Sequence, residues 1–286
     1  MNLVFAGSVI TATAPVLFAA LGGLLCAAAG VFNIALEGQL LCGAFTAVVV
    51  GHETGSAWLG VLAAVVATVL FAALLSVPAV SLGTEPIVVA VGTNLLALGL
   101  TSFLMRRILG LGGTYSSPDL RGLPDLPYTS QSALVPVAFL LTAAVAFWLR
   151  RTRSGLRLRA LGGEPEAARS LGLKVTGYRH AAVLTAGALC GLGGAQLSLG
   201  NVTLFSEGMS AGRGWVAVVA VMLAGTSPYR LLGACLLFGV AEALGFRLQG
   251  AGLPQQAADA APYLITLAVL VVARVISTRR RKERTV

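Results

Sequence analysis

The residues in this sequence that offer the most chemistry are polar side chains inside long apolar stretches. Asn33 and Glu37 are one helical turn apart, so a helix would place their amide and carboxylate groups on one face. An ionised carboxylate at bilayer depth costs about 3 kcal/mol even on the lenient insertion scale, so such a residue faces protein or water. Two interpretations of Glu37 stay open: a polar wall of a path through a membrane, or a carboxylate held by backbone amides where a helix starts.

Three further polar residues stand in otherwise apolar stretches. Glu242 is one, and Arg247, five residues on, is its candidate partner. Asn94 and Gln196 are the others, and each could either line a path or form a hydrogen bond between two helices.

The sequence contains no residue pattern for an enzyme active site, a metal site or a nucleotide-binding loop. The four cysteines have neither metal-ligand nor disulfide-framework spacing, and the two histidines have no acid and nucleophile pattern beside them. A phosphate loop needs Gly-Lys followed by Ser or Thr, whereas Lys174 precedes Val175 and Lys282 precedes Glu283. We therefore expect no catalytic residue, no metal and no ATP site in this chain.

The composition indicates the elements that position these residues. Hydrophobic residues make up 57% of the 286 residues and charged residues only 11%, with a mean hydropathy of +0.87. The net charge of +9 comes mostly from blocks that flank apolar runs, which is membrane topology rather than a nucleic-acid surface.

Apolar runs of spanning length predict an all-α, polytopic membrane protein with about eight to nine transmembrane helices. Residues 1–278 form the membrane domain and residues 279–286 a basic tail. Glu37-Gly38 and Glu207-Gly208 start faintly similar blocks, which indicates a weak inverted repeat. The predicted spans are Thr11–Gly30, Ala35–Gly51, Ala57–Val80, Ile87–Leu104, Ala133–Leu149, Ala181–Gly200, Trp215–Gly225, Leu231–Phe246 and Pro262–Ile276.

Orientation follows from the positions of Lys and Arg. Alternate connections differ strongly in these residues, and the richer set includes the C-terminal tail, so the positive-inside rule predicts a cytoplasmic C-terminus. With nine spans the N-terminus is outside. The proline-containing segment Gly110–Ser132 is then external and reads as an ordered polar cap or a docking surface.

The longest internal connection, 150–177, has a pattern of its own. Pro165 and the acidic Glu166 stand where a helix begins, and Gly172 stands where it ends, which predicts a cytoplasmic helix of about two turns. The small residues Ala167 and Ala168 would let this helix enter a groove on a partner.

The combination of Glu166, Ala167, Ala168 and Gly172 resembles the coupling loop of bacterial ABC importer permeases, through which an ATPase subunit drives the membrane helices. The blocks Ala14–Gly23 and Gly30–Ala44 are similar to the opening of permeases of the branched-chain amino acid, ribose and nucleoside importer group, nearest to nucleoside and simple-sugar permeases. The resemblance covers about Ala14 to Leu270. Further similar pieces are Asn94–Ser102, Arg153–Ala160 and Gly212–Trp215. One departure is Arg169-Ser170-Leu171 before Gly172, which leaves the identity of the ATPase open.

The resemblance implies a bacterial plasma-membrane importer subunit. Its partners would be an ATPase that holds ATP and magnesium, a second permease chain of the same or a related kind, an extracytoplasmic solute-binding protein and the lipid bilayer. A nucleoside is the expected cargo, with a simple sugar next and a branched-chain amino acid third. An ion-coupled secondary transporter is the alternative class, which Glu37 and Glu242 keep open.

Overall fold

A computed structural model describes residues 2–126 and 131–250 of the chain. This part is almost entirely helical, in agreement with the predicted all-α class. Its only strands are β1 (Thr114–Tyr115) and β2 (Phe205–Ser206). The helices are α1 (Asn2–Ala28), α2 (Leu36–Thr54), α3 (Ala57–Ser76), α4 (Pro86–Ile108), α5 (Leu134–Arg151), α6 (Arg153–Gly163), α7 (Pro165–Ser170), α8 (Val175–Ala195), α9 (Arg213–Ala224) and α10 (Pro228–Gly250).

Six helical segments in the described residues are long and apolar enough to cross a membrane. Two predicted spans are absent from this group. The span Ala35–Gly51 forms α2, which is 19 residues long but carries Glu37 and Gln39 in its first turn. The span Trp215–Gly225 forms α9, whose 12 residues measure about 18 Å, against about 30 Å for a hydrocarbon core. The predicted count of eight to nine is therefore not confirmed, and Pro262–Ile276 and the basic tail lie outside the described residues.

Helix α1 forms the centre of the bundle, with 83% of its spanning segment buried. Leu17, Phe18, Leu21 and Leu24 are fully buried. Helix α1 packs against α8, α9 and α10, and α2 packs against α3, α4 and α8. The residues at the start of α2 are thus held inside the protein rather than at its lipid-facing surface.

Glycines permit the close approach of α8 to its neighbours, and Gly187 and Gly191, four residues apart, lie on one face of this helix. A Cβ atom added at Gly187 would lie 2.6 Å from the Cβ of Ala72 on α3. One added at Gly191 would lie 2.8 Å from the carbonyl oxygen of Ala64 on the same helix. Larger side chains at these two positions would force α3 and α8 apart.

One end of the bundle gathers the end of α1, the end of α3 and the start of α8. The Arg179 side chain donates to the carbonyl oxygen of Ala29 at 3.3 Å. The His180 ring makes hydrogen bonds with Ser76 at 2.6 Å and with Ser81, in the π-helical segment Val77–Ser81, at 2.9 Å. The connection that carries α6 and α7 is at this end too, because Gly162 meets the backbone of Ala28 and Gly30. This arrangement agrees with the predicted alternation of the spans, and the end is the predicted cytoplasmic one.

At the opposite end, the connection that follows α4 pairs with the connection that precedes α9. Strands β1 and β2 are antiparallel, with Thr114 opposite Ser206 and Tyr115 opposite Phe205. Phe205 is fully buried and packs edge-on against Phe45 of α2, with ring centroids 5.2 Å apart. The chain after β2 therefore turns into the bundle before α9 begins. The two blocks of the predicted inverted repeat differ in local structure, because Gly38 is helical and Gly208 is in a turn with a φ of 69°. The repeat stays a prediction.

Candidate functional site

Glu37 fastens the first turn of α2 to the first turn of α9. One carboxylate oxygen accepts from the backbone N–H of Gly212 at 2.8 Å, and the other accepts from that of Gly214 at 2.7 Å. Free N–H groups and the helix dipole make the start of a helix a site for negative charge, which Glu37 supplies here. Of the two interpretations above, the backbone-amide one describes the observed contacts. The capped helix is α9 and not α2, to which Glu37 itself belongs.

Position 214 must be glycine because the junction has no room for a side chain there. A Cβ atom at Gly214 would collide with the backbone N and Cα of Glu37. Gly212 has a φ of 82°, which other residues rarely adopt, as the chain turns into α9. The short piece Gly212–Trp215 thus places two backbone donors against one carboxylate.

Glu242 of α10 forms an ion pair with Arg213, the first residue of α9. The prediction that Arg247 is the partner of Glu242 is wrong. The guanidinium group of Arg247 lies 4.3 Å from the ring centroid of Phe5 instead. Sequence separation misled the prediction, because five positions along a helix do not bring two side chains onto one face. Arg213 also donates to the carbonyl oxygen of Met209 at 3.2 Å. Its guanidinium group therefore contacts both the segment that precedes α9 and the side chain of Glu242 on α10.

Asn94 holds α4 against the start of α2. Its side-chain oxygen accepts from the backbone N–H of Gly38 at 2.8 Å, and its nitrogen donates to the carbonyl oxygen of Ile34 at 3.1 Å. Asn33 is buried and accepts from the backbone N–H of Ala35 at 2.9 Å. Both amides therefore bind backbone groups in, or just before, the first turn of α2.

Three predicted pathway residues, Asn33, Glu37 and Asn94, thus meet around the first turn of α2, and Glu242 joins them through Arg213. Gln196 does not. It is fully buried at the start of the π-helical segment Gln196–Val202, accepts from Ser132 at 2.5 Å and donates to Asn201 at 2.7 Å. For Asn94 and Gln196 the contacts are those of helix-to-helix or helix-to-loop fastening, and a role in a path stays a prediction.

Two residues of the site were missed by sequence reasoning. One is Arg213, which enters the sequence analysis only as part of the piece Gly212–Trp215. The other is Gln39, whose side chain is fully buried and whose nitrogen and oxygen both have no hydrogen-bond partner in the described part of the chain. Leaving such groups unpaired costs about 1–3 kcal/mol. A glutamine two positions after Glu37 in an apolar stretch was the available signal.

The predicted coupling segment does contain a short helix, α7, and Gly172 ends it with a φ of 78°. Glu166 and Ala167 are exposed, and Glu166 pairs with Arg169 at 2.8 Å. Ala168 departs from the expected outward face. It is 3% exposed and packs with Leu161 and Val175 of the same chain.

Leu171 instead is the apolar residue of this segment that faces outward, with 79% of its surface exposed. The outer face of the segment is therefore formed by Glu166, Ala167, Leu171 and Gly172, which we call the coupling face. No group of three or more His, Cys, Asp or Glu that could hold a metal ion occurs in residues 2–126 and 131–250.

Residues 5–273 match the family described as branched-chain amino acid transport system / permease component. The guanosine ABC transporter permease protein NupQ of Bacillus subtilis is 34% identical, with 90% of this chain and 88% of that protein covered. The nucleoside ABC transporter permease protein NupC of Lactococcus lactis is 31% identical, with 95% and 92% covered. A putative glucose ABC transporter permease protein of Haloferax volcanii is 33% identical, with 87% and 80% covered.

Among solved structures, PsaBC from Streptococcus pneumoniae in complex with Fab has a similar fold. The TM-score is 0.53 at 18% sequence identity, and the match covers 94% of this chain and 90% of that one. At this identity the likeness concerns the fold alone.

Proposed function

Since the chain belongs to the permease family of the branched-chain amino acid transport system, we propose that it carries a nucleoside into the cell. It is a multi-pass membrane protein and the membrane-spanning subunit of an ABC transporter, not an enzyme. ABC permeases of this kind work with an ATPase and a solute-binding protein. ATP and magnesium are proposed to bind that ATPase and not this chain.

The similarity to NupQ, at 34% identity over most of both chains, carries the proposal of a nucleoside cargo. The site geometry supports a neutral solute. The negative charge of Glu37 is taken up by the start of α9 and that of Glu242 by Arg213, so the positive groups at this junction already have protein partners. An anionic nucleotide would need a positive group that is not already paired with Glu37 or Glu242.

A simple sugar is the second candidate, and one observation favours it. The glucose permease relative is 33% identical over 87% of this chain, almost as similar as NupQ. Both cargo classes are neutral and rich in hydroxyl groups, so the buried amides and paired carboxylates suit either.

Uptake of radiolabelled guanosine separates the two. We expect guanosine uptake to depend on the gene for this chain and on ATP, to be competed by uridine, and to be indifferent to excess glucose or leucine. Loss of glucose uptake on deletion, with every nucleoside still imported, would reject the nucleoside assignment and favour the sugar. Uptake that survives ATP depletion but collapses with the ion gradient would instead indicate a secondary transporter.

The orientation is part of the proposal. We place the chain in a bacterial plasma membrane with the 150–177 connection and the C-terminus in the cytoplasm. Single cysteines at the exposed positions Ser116 and Gly163, in a variant without the four native cysteines, test this. An impermeant maleimide should label Ser116→Cys but not Gly163→Cys in intact cells, and the opposite pattern would reverse the orientation.

We propose further that a second permease chain, the same or related, completes the membrane part. Helix α4 supports this proposal, because only 22% of its spanning segment is buried inside this chain although it carries Asn94. Isolation of the complex in mild detergent and a count of distinct permease chains would test it.

A further inference from the structure

A cavity of about 550 Å³ lies between α1, α5, α6 and α8. Its size is within the range of small-molecule pockets, but its walls are nearly all apolar. Ala144 and Trp148 of α5 form one wall, Tyr178 and Ala182 of α8 form another, and Leu25 and Leu158 complete it. These walls exclude a nucleoside or sugar as the ligand, because polar groups that could orient such a solute are nearly absent from them.

The two long walls continue into basic residues at the same end of the bundle. On α5, Ala144, Trp148 and Arg151 are spaced by four and three residues, so they share one helix face. Before α8, Lys174 is four residues ahead of Tyr178, whose backbone N–H donates to the Lys174 carbonyl oxygen at 3.2 Å. Each wall thus runs from apolar residues through an aromatic ring to a cation.

These two cations have no protein partner in the part of the chain that the structure describes. Arg151 and Lys174 are exposed, and neither takes part in an ion pair or side-chain hydrogen bond among residues 2–126 and 131–250. Two basic residues of the same end differ in this respect: Arg169 pairs with Glu166, and Arg179 donates to Ala29. An anion could therefore bind Arg151 and Lys174 without breaking any described contact.

The end of the bundle also fits a membrane interface. Tryptophan and tyrosine prefer the level of the lipid headgroups. Trp148 and Tyr178 line the cavity, and each precedes or follows the cation of its wall by three or four positions along the chain. This is the predicted cytoplasmic end, where the leaflet carries anionic lipid and basic pockets between helices hold anionic headgroups.

We propose that this cavity binds one acyl chain of an anionic phospholipid of the cytoplasmic leaflet, with the headgroup held by Arg151 and Lys174. The apolar cavity provides the acyl-chain site, and the unpaired cations provide the preference for negative charge. Since Leu158 belongs to α6, which leads directly into α7, the bound lipid would stabilise the base of the coupling segment. The proposal depends on the orientation and not on the cargo.

Quenching of Trp148 by brominated acyl chains tests the proposal in the complete transporter. The complex is reconstituted into phosphatidylcholine vesicles that contain a minor fraction of dibrominated phosphatidylglycerol or, separately, dibrominated phosphatidylcholine. The signal of Trp148 is the difference between the complex with Trp148 and a Trp148→Phe complex. We expect several-fold stronger quenching of this signal by phosphatidylglycerol than by phosphatidylcholine at equal fraction.

Two pairs of variants separate charge at the cavity from charge in general. R151Q with K174Q should make the two lipids quench equally. The control pair R159Q with R230Q removes two exposed arginines at the same predicted end but off both walls, so it should keep the preference for phosphatidylglycerol.

Ala144→Phe, which fills the cavity, should reduce quenching by both lipids. Ala181→Leu provides a second filling variant if that one fails to assemble.

Three results would overturn the proposal. Equal quenching by both lipids in the unaltered complex would show that the site has no preference for an anionic headgroup. Absence of quenching by either would show that protein, such as a second permease chain, covers the cavity. Unchanged quenching in both filling variants would place the lipid elsewhere.

Discussion

The carboxylate of Glu37 and the backbone N–H of Gly214 are joined by a 2.7 Å hydrogen bond that fastens α2 to the start of α9. In many transporters the start of a broken helix receives the anionic group of the solute. In this chain the carboxylate of Glu37 occupies the start of α9. The observed contacts of Glu37 are therefore those of a fastening between two helices.

Glu37→Gln should weaken this fastening. A glutamine side chain has one acceptor oxygen and a donor nitrogen, so the N–H of Gly212 or of Gly214 loses its acceptor. The loss of a charged hydrogen bond and an unpaired buried donor together correspond to about 2–3 kcal/mol. We expect a lower thermal unfolding temperature of the purified complex and less uptake per assembled transporter.

Glu53→Gln is the matched control, because Glu53 lies at the exposed end of the same helix. It should leave both measurements unchanged. Gly214→Ala should resemble Glu37→Gln, since the added methyl group collides with the Glu37 backbone, whereas Gly233→Ala meets no atom within 4 Å. Equal stability of Glu37→Gln and Glu53→Gln would mean that the junction contributes nothing to the fold.

The ion pair between Arg213 and Glu242 should behave as a coupled unit. Both side chains are mostly buried, with 22% and 17% exposure, so removing one partner leaves a charge without compensation. Breaking such a pair costs about 3–5 kcal/mol, whereas removing both partners costs less. Arg213→Gln and Glu242→Gln should each destabilise the complex more than the double variant does, as measured by thermal unfolding. Additive losses would show that the two residues act independently.

Sequence patterns predicted the helices better than their contacts. Long apolar runs such as that of α1 specify a spanning helix by length and composition alone, and the turn at Gly172 follows from local signals. The partner of Glu242 could not be found this way, because Arg213 is 29 positions away and reaches it only through tertiary packing. The same holds for Glu37, whose two donors are 175 and 177 positions distant.

The short length of α9 was visible in the sequence, but its meaning was not. A run of 12 residues could be a span with misjudged ends or a helix that begins inside the membrane. Its first turn contacts Glu37 of α2, and that contact could not be read from the sequence. Ala168 is similar, since an alanine gives no sequence signal for which side of a short helix it occupies.

Gln39 should be replaceable with a gain in stability. Its carboxamide is fully buried without a hydrogen-bond partner in the described residues, so Gln39→Met keeps the volume and removes the unpaired polar atoms. We expect the unfolding temperature of the complex to rise. Thr142→Val is the control: its hydroxyl is equally buried but donates to the carbonyl oxygen of Ala138 at 2.9 Å, so it should give no gain. An unfolding temperature lower than that of the unaltered complex would show that Gln39 has a stabilising partner.

The coupling face should transmit movement from the ATPase. Ala167→Arg places a long charged side chain on an exposed position of α7, and Leu171→Glu removes the outward apolar contact. Neither change touches the packing of Ala168 with Leu161 and Val175, so the permease itself should fold normally. We expect normal permease levels, less ATPase recovered with the permease, and less ATP-dependent uptake. Ala168→Arg is unsuitable for this purpose because it would disrupt the inner side of the segment.

Gly172→Val tests the same segment through its backbone. Gly172 has a φ of 78° and no atom within 4 Å of an added Cβ, so the cost of valine is backbone strain of about 1 kcal/mol or more rather than a collision. The strain should move Leu171 and lower uptake without removing the protein from the membrane. Thr176→Arg, an exposed position at the start of α8, is the control for added charge at this end and should keep full activity. Normal ATPase recovery and full uptake in Ala167→Arg, Leu171→Glu and Gly172→Val together would show that the segment is a connection without a role in coupling.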